Sequence, residues 1–237
     1  MILLPAIDLY EKKAVRLVRG DYRQMTVYSE YPQEQAKTFA QQGASWLHVV
    51  DLEGAKDGTT PNFSVVAEIC RTSGLRVEIG GGIRDTDTIA RYLDAGAERV
   101  ILGTKAVSDP DFLEHAVRTF HSHIAVGVDI LEGCIATHGW QEKSTQPVEQ
   151  FFDRLCKLGV KTVICTDISK DGMLAGTNLD LYKDLSKRFS LDLIASGGVS
   201  SLEDIRSLKQ MGLYGAILGK ALYTGALSLQ DALKEVT

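Results

Sequence analysis

Along the chain, short runs of continuous apolar residues alternate with longer stretches in which apolar positions recur every three or four residues. The runs Ile2–Asp8, Trp46–Leu52, Arg76–Gly80, Arg99–Gly103, Ile124–Ile130, Thr162–Ile168, Leu191–Ser196 and Gly215–Gly219 read as strands. Unbroken apolar character over so few residues is expected where both faces of a strand are covered. The intervening stretches keep a helical period. Pro32–Gln42 carries Ala36, Phe39 and Ala40, and Ser64–Thr72 carries Val65, Val66, Ile69 and Cys70. Asp85–Ala95 carries Ile89, Ala90 and Leu93, and Val148–Leu158 carries Phe151, Phe152 and Leu155. Asp85, Asp109-Pro110 and Ser200-Ser201-Leu202-Glu203 supply helix starts. Eight strand-helix units at about 30 residues each match the usual size of a βα repeat. The pattern predicts an α/β protein with a closed (β/α)8 TIM barrel as one domain over residues 1–237. An open doubly wound sheet would also use such units, but it has no need of two equal halves.

The chain does repeat itself. Gly43 and Gly159, Asp51 and Asp167, Asn62 and Asn178, Gly82 and Gly198, Gly96 and Gly212, and Gly103 and Gly219 are each 116 residues apart. Asp57-Gly58 and Asp171-Gly172 slip to 114, and Asp8 and Asp129 stand 121 apart. The barrel is therefore expected to be two half-barrels, about residues 1–120 and 121–237. Barrel chemistry sits on the loops that follow the strands, and the repeated residues fall there. A duplicated set of sites suggests a ligand with two similar ends.

Gly80-Gly81-Gly82 and Gly103-Thr104-Lys105 follow the third and fourth strands, and Gly197-Gly198 and Gly219-Lys220 follow the seventh and eighth. Glycine lets backbone N–H groups approach a ligand, and a following helix adds partial positive charge. Gly81, Gly82, Gly103 and Thr104 on one side, and Gly197, Gly198, Gly219 and Lys220 on the other, are candidate phosphate contacts. The bland reading is four tight βα turns. Two such sites across the mouth predict a long substrate with a phosphate at each end.

Asp8 and Asp129 close the first and fifth strands, which are opposed in an eight-stranded barrel. Their carboxylates would face each other between the phosphate sites, a pairing suited to general acid–base work with one protonated and one ionised. Asp51 and Asp167 end the second and sixth strands, where they would orient loops or bind Lys56 and Lys170. Thr166 would either turn its hydroxyl into the pocket or serve only as a β-branched strand residue. His48 reads as a packed or substrate-touching residue. The histidines lack metal-ligand spacing, and no G-x-S-x-G or Walker-type sequence occurs. No metal site is expected.

The bulk properties narrow the setting. The net charge of −5 argues against a general nucleic-acid surface. Cys70, Cys134, Cys156 and Cys165 form no C-x-x-C pair and fit a reduced, cytoplasmic setting. Met1–Pro5 reads as a buried strand rather than a leader, and no apolar run approaches the roughly 18 residues of a membrane span. No apolar stripe marks a dimer face, so a monomer acting on a small molecule is expected.

Several motifs together carry a family resemblance. They are Leu4-Pro5-Ala6-Ile7-Asp8-Leu9, Val15-Arg16-Leu17, Gly20-Asp21-Tyr22, and His48-Val49-Val50-Asp51-Leu52-Glu53-Gly54-Ala55. With them stand Gly80-Gly81-Gly82-Ile83-Arg84, Gly139-Trp140, and Thr166-Asp167-Ile168 followed by Lys170-Asp171-Gly172. The chain thereby resembles the phosphoribosylformimino-5-aminoimidazole carboxamide ribotide isomerases of histidine biosynthesis, from first strand to last. That resemblance implies an Amadori rearrangement of a bis-phosphorylated aminoaldose (ProFAR) to an aminoketose (PRFAR) without metal or organic cofactor. It implies Asp8 as general base, Asp129 as general acid and Thr166 as its assistant. It places Arg16, His48, Arg84, Trp140 and Asp171 on the substrate, and Gly172 and Gly176 among the phosphate contacts. Three rival functions stand beside the isomerase. The sister cyclase of the pathway typically has cysteine and lysine where Ala6 and Arg16 stand. A dual isomerase would also take phosphoribosylanthranilate. A silent phosphate-binding scaffold would have no need of intact Asp8 and Asp129. Glu11-Lys12-Lys13-Ala14 departs from the family's usual glycine turn.

Overall fold

The computed structural model describes residues 1–18, 20–137, 139–140 and 142–236, without the side chains of Val18, Lys143 and Thr145. The strands are β1 (Ile2–Tyr10), β2 (Lys13–Val18), β3 (Asp21–Ser29), β4 (Trp46–Asp51), β5 (Arg76–Gly80) and β6 (Arg99–Leu102). They continue as β7 (Ile124–Leu131), β8 (Cys134–Thr137), β9 (Glu142–Pro147), β10 (Thr162–Asp167), β11 (Asp192–Ser196) and β12 (Gly215–Leu218). Eight of these pair in parallel in the order β1-β4-β5-β6-β7-β10-β11-β12, and β12 returns to β1. The sheet is a closed barrel ringed by helices, as the apolar pattern predicts.

Alternation along the strands sorts the core into two layers. Leu4, Ala6, Trp46, Ile101, Ala125, Ile164, Ile194 and Ile217 form a separate cluster inside the barrel. The larger core lies between barrel and helices and includes Ile7, Val49, Val77, Val126, Phe151, Phe152 and Tyr182. Both strand faces are thus covered, which is why the runs look uniformly apolar rather than alternating.

The helices keep the expected places. They include Pro32–Gln41, Phe63–Ser73, Thr86–Asp94 and Val148–Leu158. The Asp85 carboxylate caps its helix by accepting from Thr88 N–H, and Asp109 does the same for Phe112 N–H. Ser201 forms a capping box with Asp204, each side chain taking the other's backbone N–H.

Two antiparallel hairpins are additions that the apolar pattern does not predict. After β1 the chain turns back through β2 and β3, and after β7 through β8 and β9. Their registers match: Asp8 opposes Val15 and Asp129 opposes Ala136, with Tyr10 opposite Lys13 and Leu131 opposite Cys134. Each pair is related by the 121-residue interval of the two aspartates. The turns correspond as well, since Glu11 (φ 48) and Lys12 (φ 62) repeat as Glu132 (φ 53) and Gly133 (φ 77). Two successive left-handed residues are the geometry of a tight hairpin turn. Non-glycine residues there cost about 1–2 kcal/mol each. In the first half two hydrogen bonds hold that turn, from Glu11 N–H to Glu53 (2.7 Å) and from Lys12 N–H to Asn62 (2.9 Å). The turn without glycine therefore keeps its shape. Hairpin signals at these places are weak because the turn residues are not the usual Asn-Gly.

Candidate active site

The strand ends and hairpins enclose a cavity of about 520 Å³ at the mouth of the barrel. Asp8 and Asp129 both line it. They come from β1 and β7, which stand opposite each other in the closed order. Each sits where its strand pairs with a parallel neighbour on one side and its own hairpin on the other. That double pairing fixes the backbone from which each carboxylate projects.

The two carboxylates have different partners. Asp8 accepts from the Arg16 guanidinium at 2.8 Å. Arg16 rises from β2, reaches the Ala6 carbonyl at 3.2 Å and lies 5.4 Å from the Tyr223 ring centre. Asp129 instead accepts from neutral donors, the Trp140 indole N–H at 2.8 Å and the Thr166 hydroxyl. Burial pushes the Asp129 carboxyl above the usual carboxylate range, and those donors and His48 only partly offset it. Thr166 thus does turn its hydroxyl into the site, and its Cα is in register with Asp129 across β10 and β7.

A third carboxylate joins them. Asp171 lines the cavity, and burial pushes its carboxyl up to about 6 despite the pull of Arg16. Asp8 and Asp129 raise it further, and Lys220 lowers it. The Lys220 ammonium also donates to the Gly172 carbonyl at 3.0 Å.

The two hairpins meet over the cavity. Trp140 occupies a left-handed turn position (φ 71). Its indole packs on Gly20, where an added Cβ would stand 2.8 Å from the ring. Position 20 must therefore be bare for the indole to reach Asp129. His48 and Arg84 complete the wall. The Arg84 guanidinium lies over Gly58 and donates to the Asp57 carbonyl at 3.3 Å.

The glycine loops divide into two kinds. Gly81, Gly82, Gly197 and Gly198 line the cavity with φ between 77° and 98°. A Cβ on Gly81 would strike the Asp51 carbonyl and one on Gly82 the Thr59 carbonyl. In the second half Gly197 abuts Asp167 and Gly198 abuts Gly176. Close backbone packing thus requires these four glycines, whatever binds above them. Gly103 differs, for a Cβ there would meet open space. Gly219 lies beneath Arg16, whose Nη2 would be 2.7 Å from such a Cβ. Thr104, Gly172 and Lys220 also line the cavity, but Gly176 does not. Gly176 supports Gly198 from behind instead.

Residues 2–228 match the family described as Histidine biosynthesis protein. The chain belongs to that family. Curated relatives cover nearly the whole chain. One from Lactococcus lactis subsp. cremoris (strain SK11) is 53% identical over 97% of this chain and 94% of its own. Another from Oceanobacillus iheyensis is 46% identical over 99% and 98%. A third from Thermoanaerobacter pseudethanolicus is 44% identical over 99% of both chains. All three are named 1-(5-phosphoribosyl)-5-((5-phosphoribosylamino)methylideneamino)imidazole-4-carboxamide isomerase.

Asp51 and Asp167 have the role of orienting loops in this histidine-biosynthesis barrel. Neither lines the cavity. Asp51 accepts from Gly54 N–H (2.9 Å), Asn62 N–H (3.1 Å) and the Asn62 amide (2.8 Å). Asp167 accepts from Ser169 N–H (2.9 Å) and the Asn178 amide (2.6 Å). The repeated Asp–Asn spacing is a duplicated loop latch. Lys56 instead lies 5.6 Å from the Tyr22 ring centre. Tyr22 and Leu174 also line the cavity, although sequence reasoning did not single them out. Tyr22 had a signal in the Gly20-Asp21-Tyr22 motif, whereas Leu174 had none. Among the described residues, no helix is long and apolar enough to cross a membrane.

Proposed function

We propose that this chain isomerises ProFAR to PRFAR, an aldose-to-ketose Amadori rearrangement in histidine biosynthesis. Asp129 donates its proton to the ribose ring oxygen, the bond from that oxygen to C1 breaks, and C1 becomes an iminium carbon. Asp8 then removes the C2 proton, and the C–H electron pair forms the enolamine. A proton then returns to C1 as the C2 hydroxyl gives up its own proton, and the C2 ketone results. Arg16 must release Asp8 for the second step, and Thr166 steadies Asp129 for the first.

The observation that carries this reading is the inequality of the opposed carboxylates. One faces a cation, and the other is buried without one, so that burial favours its protonated form although the Trp140 and Thr166 donors partly oppose it. Pairs of carboxyl groups driven apart by their surroundings mark acid and base assignments. The relatives' names describe a substrate with two phosphoribosyl groups, which suits the paired loops on opposite walls. Gly81, Gly82, Gly103 and Thr104 serve one phosphate, and Gly197, Gly198, Gly219, Lys220 and Gly172 the other. His48, Arg84, Trp140 and Asp171 hold the body of the substrate. The chain works on this small molecule as a cytoplasmic monomer. A coupled assay with ProFAR, run beside phosphoribosylanthranilate, tests the assignment. Turnover of ProFAR is expected, and its absence with pure folded protein refutes the reading.

A further inference from the structure

Inside the barrel, beneath the cavity, lies a polar cluster that the proton transfers of Asp8 and Asp129 do not use. His48, Glu78 and Arg99 are in register on adjacent strands β4, β5 and β6. The His48 Nδ1 is 2.7 Å from one Glu78 carboxylate oxygen. The other oxygen accepts twice from Arg99, at 2.7 and 3.1 Å. Arg99 also reaches the Thr162 hydroxyl at 3.3 Å and lies 4.1 Å from the Trp46 ring centre. The Glu78 side chain is fully buried, and Arg99 is nearly so.

Buried ion pairs are weak stabilisers, because desolvation offsets most of their attraction. The repeat shows that this barrel does not need one to fill its interior. At the 116-residue interval His48 corresponds to Ile164, Glu78 to Ile194 and Arg99 to Gly215. The second half fills two of these positions with apolar side chains, Ile164 and Ile194 of the inner core, and leaves Gly215 without one. The polar version occurs only where a histidine stands between the cluster and the cavity. The nitrogen of a histidine that carries the proton is set by the hydrogen bond at the other nitrogen.

We infer that Glu78, clamped by Arg99, is a positioning residue that holds His48 in the Nδ1–H tautomer and presents its bare Nε2 to the substrate as an acceptor. This deepens the isomerase reading of the cavity and rests on it. Nε2 takes a hydrogen bond from a substrate hydroxyl or N–H, fixing the body of the substrate between the two aspartates. Without Glu78 the imidazole is free to rotate or to present N–H, and the acceptor is lost.

The test has two arms. Long-range ¹H–¹⁵N correlation on protein labelled at histidine reads the tautomer directly, with the His48 signal assigned from a His48→Gln spectrum. The expected wild-type pattern is Nδ1–H with unprotonated Nε2, and an Nε2–H pattern overturns the inference without reference to activity. The second arm is the double variant Glu78→Leu/Arg99→Met, which leaves no orphaned charge and fills the space with apolar side chains. It is expected to fold, to lose the Nδ1–H preference and to show kcat/KM for ProFAR lowered about 10- to 100-fold. A folded double variant within about twofold of wild type overturns the inference, because a merely space-filling pair predicts that result. Should the double variant not fold, the wild-type spectrum decides alone. Should wild type fail to turn over ProFAR, the isomerase reading falls, while the spectrum still tests the hold of Glu78 on His48.

Discussion

Replacing Trp140 with phenylalanine isolates one hydrogen bond at Asp129, the proposed acid. The indole N–H donates to Asp129 at 2.8 Å, and phenylalanine keeps an aromatic ring to lie on Gly20 while deleting that donor. A hydrogen bond to a charged group is worth about 1.5–3 kcal/mol net. Trp140 is only half-buried and Thr166 remains as a second donor, so the lower end applies. The bond favours the ionised carboxylate, and losing it favours the protonated one. Because about 1.4 kcal/mol corresponds to tenfold in a proton equilibrium, the change amounts to about one pH unit. A general acid works while protonated, so kcat/KM falls as pH rises through its titration in the free enzyme. In Trp140→Phe the alkaline limb of the kcat/KM profile should therefore move up by about one pH unit. The height of the profile can fall for other reasons, such as weaker contact with the substrate, and the position of the limb is what decides. An unmoved limb, or one displaced to lower pH, refutes Asp129 as the acid that Trp140 serves.

Asp8→Asn should abolish turnover while titration calorimetry still detects ligand binding, and near-normal turnover would remove Asp8 from the base role. Asn62→Ala should destabilise by about 3–5 kcal/mol in urea, because buried Asn62 bonds Asp51, Glu53 and the Lys12 N–H together. Asn178→Ala should cost less, about 2–3 kcal/mol, since Asn178 bonds Asp167 and caps only Leu181 N–H. The reverse order would contradict the latch geometry. Burial pushes the Asp171 carboxyl up to about 6, above the ordinary aspartate range, so its ionisation opposes folding above that pH. Asp171→Asn should therefore gain up to about 3 kcal/mol over wild type at about pH 8, and the gain should vanish below about pH 4. Sedimentation velocity should give a single species at the mass of one chain, and a concentration-dependent shift to twice that mass would refute the monomer.

The apolar runs located all eight barrel strands, and the errors are one or two residues at strand ends. This worked because strands covered on both faces leave no polar interruption. β3 and β9 carry no apolar run, as in Asp21-Tyr22-Arg23-Gln24. β2 and β8 bury only the short apolar stretches Ala14-Val15 and Ile135-Ala136, too brief to stand out as strands. Asp8 and Asp129 were legible as an opposed pair, since barrel topology alone sets strands one and five across from each other. Their inequality was not legible from topology, because it comes from Arg16 on one hairpin and Trp140 on the other. The glycine doublets hid a second requirement. They mark phosphate loops in the resemblance, yet they must also leave room for the carbonyl packed against each of them. At Gly103, where a Cβ would meet open space, packing makes no such demand.

Those backbone-on-backbone stacks also bear on how this scaffold can vary. At Gly82 against Thr59, and at Gly198 against Gly176, two loops touch without any side chain between them. Such a contact has no slack, so an inserted residue near either carbonyl would pry the neighbouring loop off the rim. The hairpins over β1 and β7 are bound differently, by edge pairing and a few tip contacts. The first half already carries five more residues there than the second, with 35 from Asp8 to Gly43 against 30 from Asp129 to Gly159. Lineages that reshape this pocket for a new substrate should therefore accumulate their length changes in the two hairpins and leave the loops after β4 and β10 at constant length.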